Sequence, residues 1–108
     1  MKYLKLLPLL LLFACQKYNI PYRYEVTGTS NDYNVTIQGP DGNIQQYNPV
    51  NNGWVMKWTQ ETECDLYISA QNNKSTGNVC VKIYKDGIIV AENTSFGGYT
   101  IATVSGTY

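Results

Sequence analysis

The chain has 108 residues, eight Lys/Arg balanced by eight Asp/Glu, and no histidine. Without histidine it lacks the commonest general base and the commonest metal ligand. Its basic residues are scattered, whereas phosphate-backbone binding needs them clustered, so composition excludes a nucleic-acid partner.

Residues 1–14 read as an export signal: Lys2 and Lys5, then an apolar run from Leu6 to Phe13 and the small Ala14. The run is far short of the roughly 20 residues that span a bilayer. Cys15 directly after Ala14 makes Leu12-Phe13-Ala14-Cys15 resemble a lipoprotein lipobox. The resemblance implies cleavage before Cys15 and acylation of its thiol. The other reading is an ordinary signal cut near Ala14 that leaves Cys15 free. Each buried methylene contributes about 0.8 kcal/mol and one acyl chain binds only marginally. Lipoproteins usually carry more than one chain, which makes the membrane a near-permanent partner. Gln16, rather than Asp, follows the cysteine, and the expected address is the cell envelope, at the outer membrane. Removing residues 1–14 leaves 94 residues with six basic and eight acidic side chains. That is one domain's length. Residues 15–21 form a tether and 22–108 the domain.

The tether ends at Pro21, and short alternating runs follow. Tyr22, Tyr24 and Val26 share one face, with Arg23, Glu25 and Thr27 on the other. After a turn at Asn31-Asp32, the residues Tyr33, Val35 and Ile37 are in phase. Gly39-Pro40-Asp41-Gly42 is a strong turn signal. Asn43 to Tyr47 is a polar strand suited to an edge, and Asn48 to Gly53 a loop. Trp54, Met56 and Trp58 share a face, leaving Val55, Lys57 and Thr59 toward water. Glu61-Thr62-Glu63 turns the chain into Cys64–Ala70, and Gln71–Asn78 is a polar loop. Val79, Val81 and Ile83 form an apolar stripe, and Asp86-Gly87 is the best hairpin signal. Ile88 to Glu92 returns, Gly97-Gly98 turns, and Tyr99 to Val104 closes the domain. Seven or eight short strands at about ten-residue spacing predict an all-β, antiparallel sandwich or small barrel.

Several segments carry a shared order of motifs: Tyr24-Glu25-Val26-Thr27-Gly28, Trp54, Ser69-Ala70-Gln71-Asn72, Val81-Lys82-Ile83-Tyr84-Lys85-Asp86-Gly87, Val90-Ala91-Glu92 and Ser105-Gly106. Over residues 24–106 this resembles the extracytoplasmic domain of the mycobacterial membrane protein small (MmpS) family. The resemblance implies an immunoglobulin-like β-sandwich and an accessory partnership with transporters of the resistance–nodulation–division class, which export lipids or siderophores. Members of that family anchor through a transmembrane helix, whereas this chain carries the lipid-type signal. No cysteine stands near Val104 to complete a bridge associated with the family.

Two cysteines follow Cys15, and the compartment permits a Cys64–Cys80 disulfide. Alternation argues against it, because Cys64 is in phase with the inward Leu66 and Ile68, and Cys80 with the outward Lys82. A simple pairing across the 71–78 loop also sets Cys80 opposite residue 69, beyond the roughly 7 Å Cα reach of a disulfide; a bulge or another pairing restores the bridge. Two cysteines without histidine make no zinc site, and no cofactor motif occurs. Glu61, Glu63 and Asp65 border a turn, where a solvated rim outweighs a catalytic pair. Asp41 and Asp86 suit backbone capping, calcium needing more oxygen ligands. Cys64 has no histidine to activate it as a nucleophile. The chain therefore reads as noncatalytic. Aromatic residues are the candidate binding groups. Trp54 and Trp58, with Met56, form either a stacking platform for sugars or proteins, or core. Tyr18, Tyr22 and Tyr24 present the same two alternatives. The expected function is a lipid-anchored interaction domain for an envelope protein or transporter, the alternative a small carbohydrate- or lipid-binding module.

Overall fold

A computed structural model describes residues 19–108. The lipobox, Cys15 and Tyr18 lie outside the described residues. Eight strands follow in order: β1 Ile20–Gly28, β2 Tyr33–Gln38, β3 Ile44–Val50, β4 Trp54–Gln60, β5 Asp65–Asn72, β6 Asn78–Lys85, β7 Ile88–Phe96 and β8 Ile101–Thr107. They form two antiparallel four-stranded sheets, ordered β4-β1-β6-β7 (sheet A) and β3-β2-β5-β8 (sheet B). The layering is that of an immunoglobulin-like sandwich, with a strand order of its own. No helix among the described residues is long and apolar enough to cross a membrane.

Period-two alternation builds the core. Tyr22, Tyr24, Val26, Val79, Val81 and Ile83 project from sheet A, and Tyr33, Val35, Ile37, Leu66, Ile68 and Ala70 from sheet B, all buried. Asp86-Gly87 makes the expected β6–β7 turn, with φ of 57° and 78°, the left-handed pair of a type I′ hairpin.

Two expectations change at the loops. The polar stretch 71–78 does not fold β5 back on β6. It carries the chain from sheet B to sheet A, where β6 pairs with β1 and β7. The reason is local: buried Asn72 donates to the Thr76 and Gly97 carbonyls and accepts from Ser30 Oγ and the Lys74 N–H. That network satisfies the loop's own polar groups in place of a hairpin ladder. Tyr99 stands in the last turn at φ 59° rather than in a strand, and β8 begins at Ile101.

The sheets are joined by tyrosine hydroxyls. Tyr24 on β1 donates to the Gln38 carbonyl (2.8 Å) and accepts the Tyr67 N–H (3.1 Å), both in sheet B. Tyr33 on β2 donates to the Asn78 carbonyl of β6 and accepts the Ser30 N–H. Tyr22 donates to the Tyr108 carbonyl just past β8 (2.8 Å). Gly28 is required beside the Tyr33–Asn78 contact, because a Cβ there would meet the Tyr33 hydroxyl and the Asn78 carbonyl.

The sandwich has two distinct ends. The tether end gathers the start of β1, loops 39–43 and 61–64, the Asp86-Gly87 turn and Tyr108; the Asp86 N–H donates to the Pro21 carbonyl there. The far end gathers loops 29–32, 51–53, 73–77 and 97–100. These loops are stitched together: Asn52 N–H to Asn31, Asn73 N–H to Asp32, Gly97 N–H to Gly77 and Tyr99 N–H to Lys74.

Candidate functional site

Of the two alternatives for Tyr22 and Tyr24, surface patch or core, both residues take the core. They are 2% and 0% exposed, because their face of β1 is the inner face of sheet A. Burial raises the pKa of both phenols, that of Tyr24 to about 12, since charging a phenol in a dry core is costly. Trp58 is half-buried and stacks on Tyr22 with centroids 5.5 Å apart, tilts onto Tyr24 at 4.8 Å, and donates to Gln60 Oε1. Trp54 packs against Tyr47 across the sandwich at 5.3 Å. The rings thus form two separate packing groups, Tyr22, Tyr24 and Trp58 in one and Tyr47 with Trp54 in the other.

Cys64 and Cys80 are free thiols. Cys64 stands at the tether end, where its backbone exchanges two hydrogen bonds with Tyr108. Cys80 lies on β6 between Thr27 and Thr94, in phase with the outer face of sheet A. Sequence alternation had already put the two thiols on opposite sides, and the separation into two sheets removes the hairpin that would have brought them near. Burial raises the pKa of Cys64, so its thiol stays protonated at neutral pH, unlike the depressed thiol of a nucleophile. Asp41 accepts from both the N–H and the amide of Asn43 (3.0 and 2.9 Å), which holds its carboxyl below the usual range. That is the turn-capping role. Glu61 and Glu63 are exposed in their loop, and exposed Asp65 accepts from Thr107 across β5–β8.

An open groove of about 570 Å³ runs over β1, β4 and the end of β6; Arg23, Lys57, Thr59 and Tyr84 line it from the outer face of sheet A, and Tyr22 and Trp58, with Pro21 and Gly87, complete the lining. Its size is within the range of small-ligand sites, about 300–1,000 Å³. Register creates it: Arg23 on β1 lies opposite Lys57 on β4 and Tyr84 on β6. The Arg23 guanidinium lies over the Tyr84 ring, 3.8 Å from its centroid, a cation–π contact. Arg23 Nε is buried and has no hydrogen-bond partner among the described residues. Next along the face, Glu25 accepts from the Tyr84 hydroxyl and faces Lys82 at 3.8 Å, which also faces Glu92 at 3.8 Å. Alternation placed Arg23, Lys57 and Thr59 outside. It carried no signal that β1 lies between β4 and β6, which is what makes them neighbours.

No model of a known protein family matches the chain, and no curated protein is similar to it.

Proposed function

We propose that the chain is a lipid-anchored, noncatalytic domain of the cell envelope, acylated at Cys15 and serving as an interaction or accessory module for another envelope protein. A membrane transporter is the partner class that the resemblance to the MmpS family implies. The observation that supports this reading is the polarity of the fold. β1 begins at Ile20, five residues beyond Cys15, and five extended residues reach about 17 Å. The tether end would thus stand against the lipid surface, and the far-end loops would face away from it. Those loops are fixed by their mutual hydrogen bonds, and around them Phe96, Tyr99 and Ile101 are exposed by 76%, 62% and 54%. Such residues, Tyr99 on a hydrogen-bonded turn and Phe96 and Ile101 at the strand ends flanking it, suit protein contact.

The test is Cys15→Ser with fractionation and palmitate labelling. The expected result is loss of label and release from the membrane; unchanged labelling and retention would refute the anchor. In vivo photo-cross-linking from position 99 should capture a discrete envelope protein, whereas the same probe at position 41, on the tether end, should not. The alternative, a small carbohydrate- or lipid-binding module, would rest on Trp54 and Trp58 rather than on Tyr22 and Tyr24, since both tyrosines are buried.

A further inference from the structure

We infer that the groove on the outer face of sheet A is a binding site for a phosphate ester, held between Arg23 and Lys57. Neither side chain forms an ion pair with a described residue. The flanking carboxylates are engaged: Glu25 by Lys82 and the Tyr84 hydroxyl, and Asp86 by an interaction of its own. Two cations therefore line one groove with no ion pair to a described carboxylate, on a domain whose residues 15–108 carry a net charge of −2. A planar guanidinium and a compact ammonium suit a phosphate, which offers several acceptor oxygens at once.

Arg23 is preorganised for this task. Its guanidinium lies over the Tyr84 ring, and the Tyr84 hydroxyl in turn donates to Glu25 at 3.2 Å. Little side-chain freedom remains to be lost on binding. The buried Nε is a donor lacking an acceptor among the described residues, and such a group carries a standing desolvation cost. Thr59 adds a hydroxyl at the rim, and Pro21 and Gly87 add walls without charge. Pro21 also places the groove at the tether end, six residues from Cys15. If the chain is anchored as proposed, the phosphate of a lipid headgroup is within reach; the site chemistry itself does not depend on that anchor.

The test uses the full chain in an uncharged detergent and follows the Arg23 Nε–H resonance by NMR. One arm adds soluble glycerol phosphate; the other dopes the micelles with phosphatidylglycerol, against glycerol and undoped micelles as controls. A saturable shift is expected, about tenfold weaker in Lys57→Gln and unchanged in Lys74→Gln at the far end. Saturation in both arms establishes phosphate chemistry, saturation by doped micelles alone assigns the lipid headgroup, and saturation by glycerol phosphate alone assigns a soluble ester. No saturable shift in either arm, or equal weakening by Lys57→Gln and Lys74→Gln, overturns the site. Failure there with Cys15 labelling intact removes the groove and leaves the anchor standing.

Discussion

Replacing Tyr24 by Phe removes one oxygen and two inter-sheet hydrogen bonds, to the Gln38 carbonyl and from the Tyr67 N–H. The ring remains, so the apolar contacts with Trp58 and the core are kept. Each net hydrogen bond is worth about 1 kcal/mol, and stranded backbone groups push the cost upward, so about 2 kcal/mol of stability is lost at pH 8. Urea unfolding followed by the fluorescence of Trp54 and Trp58 should then show a midpoint lower by about 1 M with the slope unchanged. In a heating scan the fall is about 8–16 °C.

The same residue supplies a second, independent readout. Folded Tyr24 keeps its proton to about pH 12, whereas the unfolded phenol loses it near 10.0. Between these values the unfolded state has released a proton that the native state still holds, so native stability falls as pH rises. The slope is about 1.4 kcal/mol per pH unit, or about 2.7 kcal/mol over the window. Tyr22, whose pKa burial also raises, acts in the same direction in both proteins. Tyr24→Phe has no phenol to ionise at this position. The stability gap between the two proteins should therefore be about 2 kcal/mol at pH 8 and shrink toward zero between pH 10 and 12. A gap below about 0.5 kcal/mol at pH 8, or one that stays constant up to pH 12, would refute the role given to this hydroxyl.

Asn72→Ala should cost about 2–3 kcal/mol, because it strands the Lys74 N–H, the Ser30 hydroxyl and the Thr76 carbonyl in the far-end network, while the Gly97 carbonyl keeps only the Thr100 hydroxyl. Hydrogen exchange should show protection lost first at Gly97 and Tyr99, and unchanged protection there would contradict the network's role. Cys64, half-buried and with a raised pKa, should react slowly with iodoacetamide at pH 8 in the native protein and rapidly in urea. Dithiothreitol should leave the midpoint of thermal unfolding where it is, since both described cysteines are free; a fall on reduction would mean that a bridge exists.

The strands were legible because their inner faces alternate without interruption: Tyr33, Val35 and Ile37 on β2, and Val79, Val81 and Ile83 on β6, are all buried. Asp86-Gly87 was legible because positive φ is a local demand that two adjacent residues meet. The ends of β7 and β8 were not. Asn93, Thr94 and Ser95 extend β7 to Phe96 along a polar edge, where side chains bond to the facing strand instead of filling the core. Asn93 donates to the Thr103 carbonyl and Ser95 to that of Ile101. Such cover for the rim of a sheet leaves no hydrophobic period to read. The tyrosines were ambiguous for a different reason. An amphipathic ring is stable inside only if its hydroxyl finds a partner, and the Tyr22 and Tyr24 partners lie 86, 14 and 43 residues away in sequence. The groove shares that difficulty, since Arg23, Lys57 and Tyr84 become neighbours only through the pairing of β1 with both β4 and β6.

Burial of the tyrosines and exposure of the groove are two consequences of one strand. Arg23 stands between Tyr22 and Tyr24, and alternation sends it outward because they point inward. Each tyrosine hydroxyl is matched to a particular backbone group of the opposite layer, so sliding sheet A over sheet B would break these bonds along with the packing. Apolar side chains alone would resist such sliding less, because close-packed alternatives of similar volume are tolerated, whereas a buried hydroxyl without its partner is not. The inner face of β1 thus fixes the height at which Arg23 meets Lys57 and Tyr84 on the outer face. This coupling predicts that Tyr24→Phe, at a temperature where it remains folded, moves the Arg23 Nε–H resonance although the substitution lies on the other side of the sheet. Asn72→Ala, which acts at the far end, should leave that resonance in place. Identical Arg23 signals in wild type and Tyr24→Phe would show that the outer face is positioned by the β1–β4 and β1–β6 ladders alone.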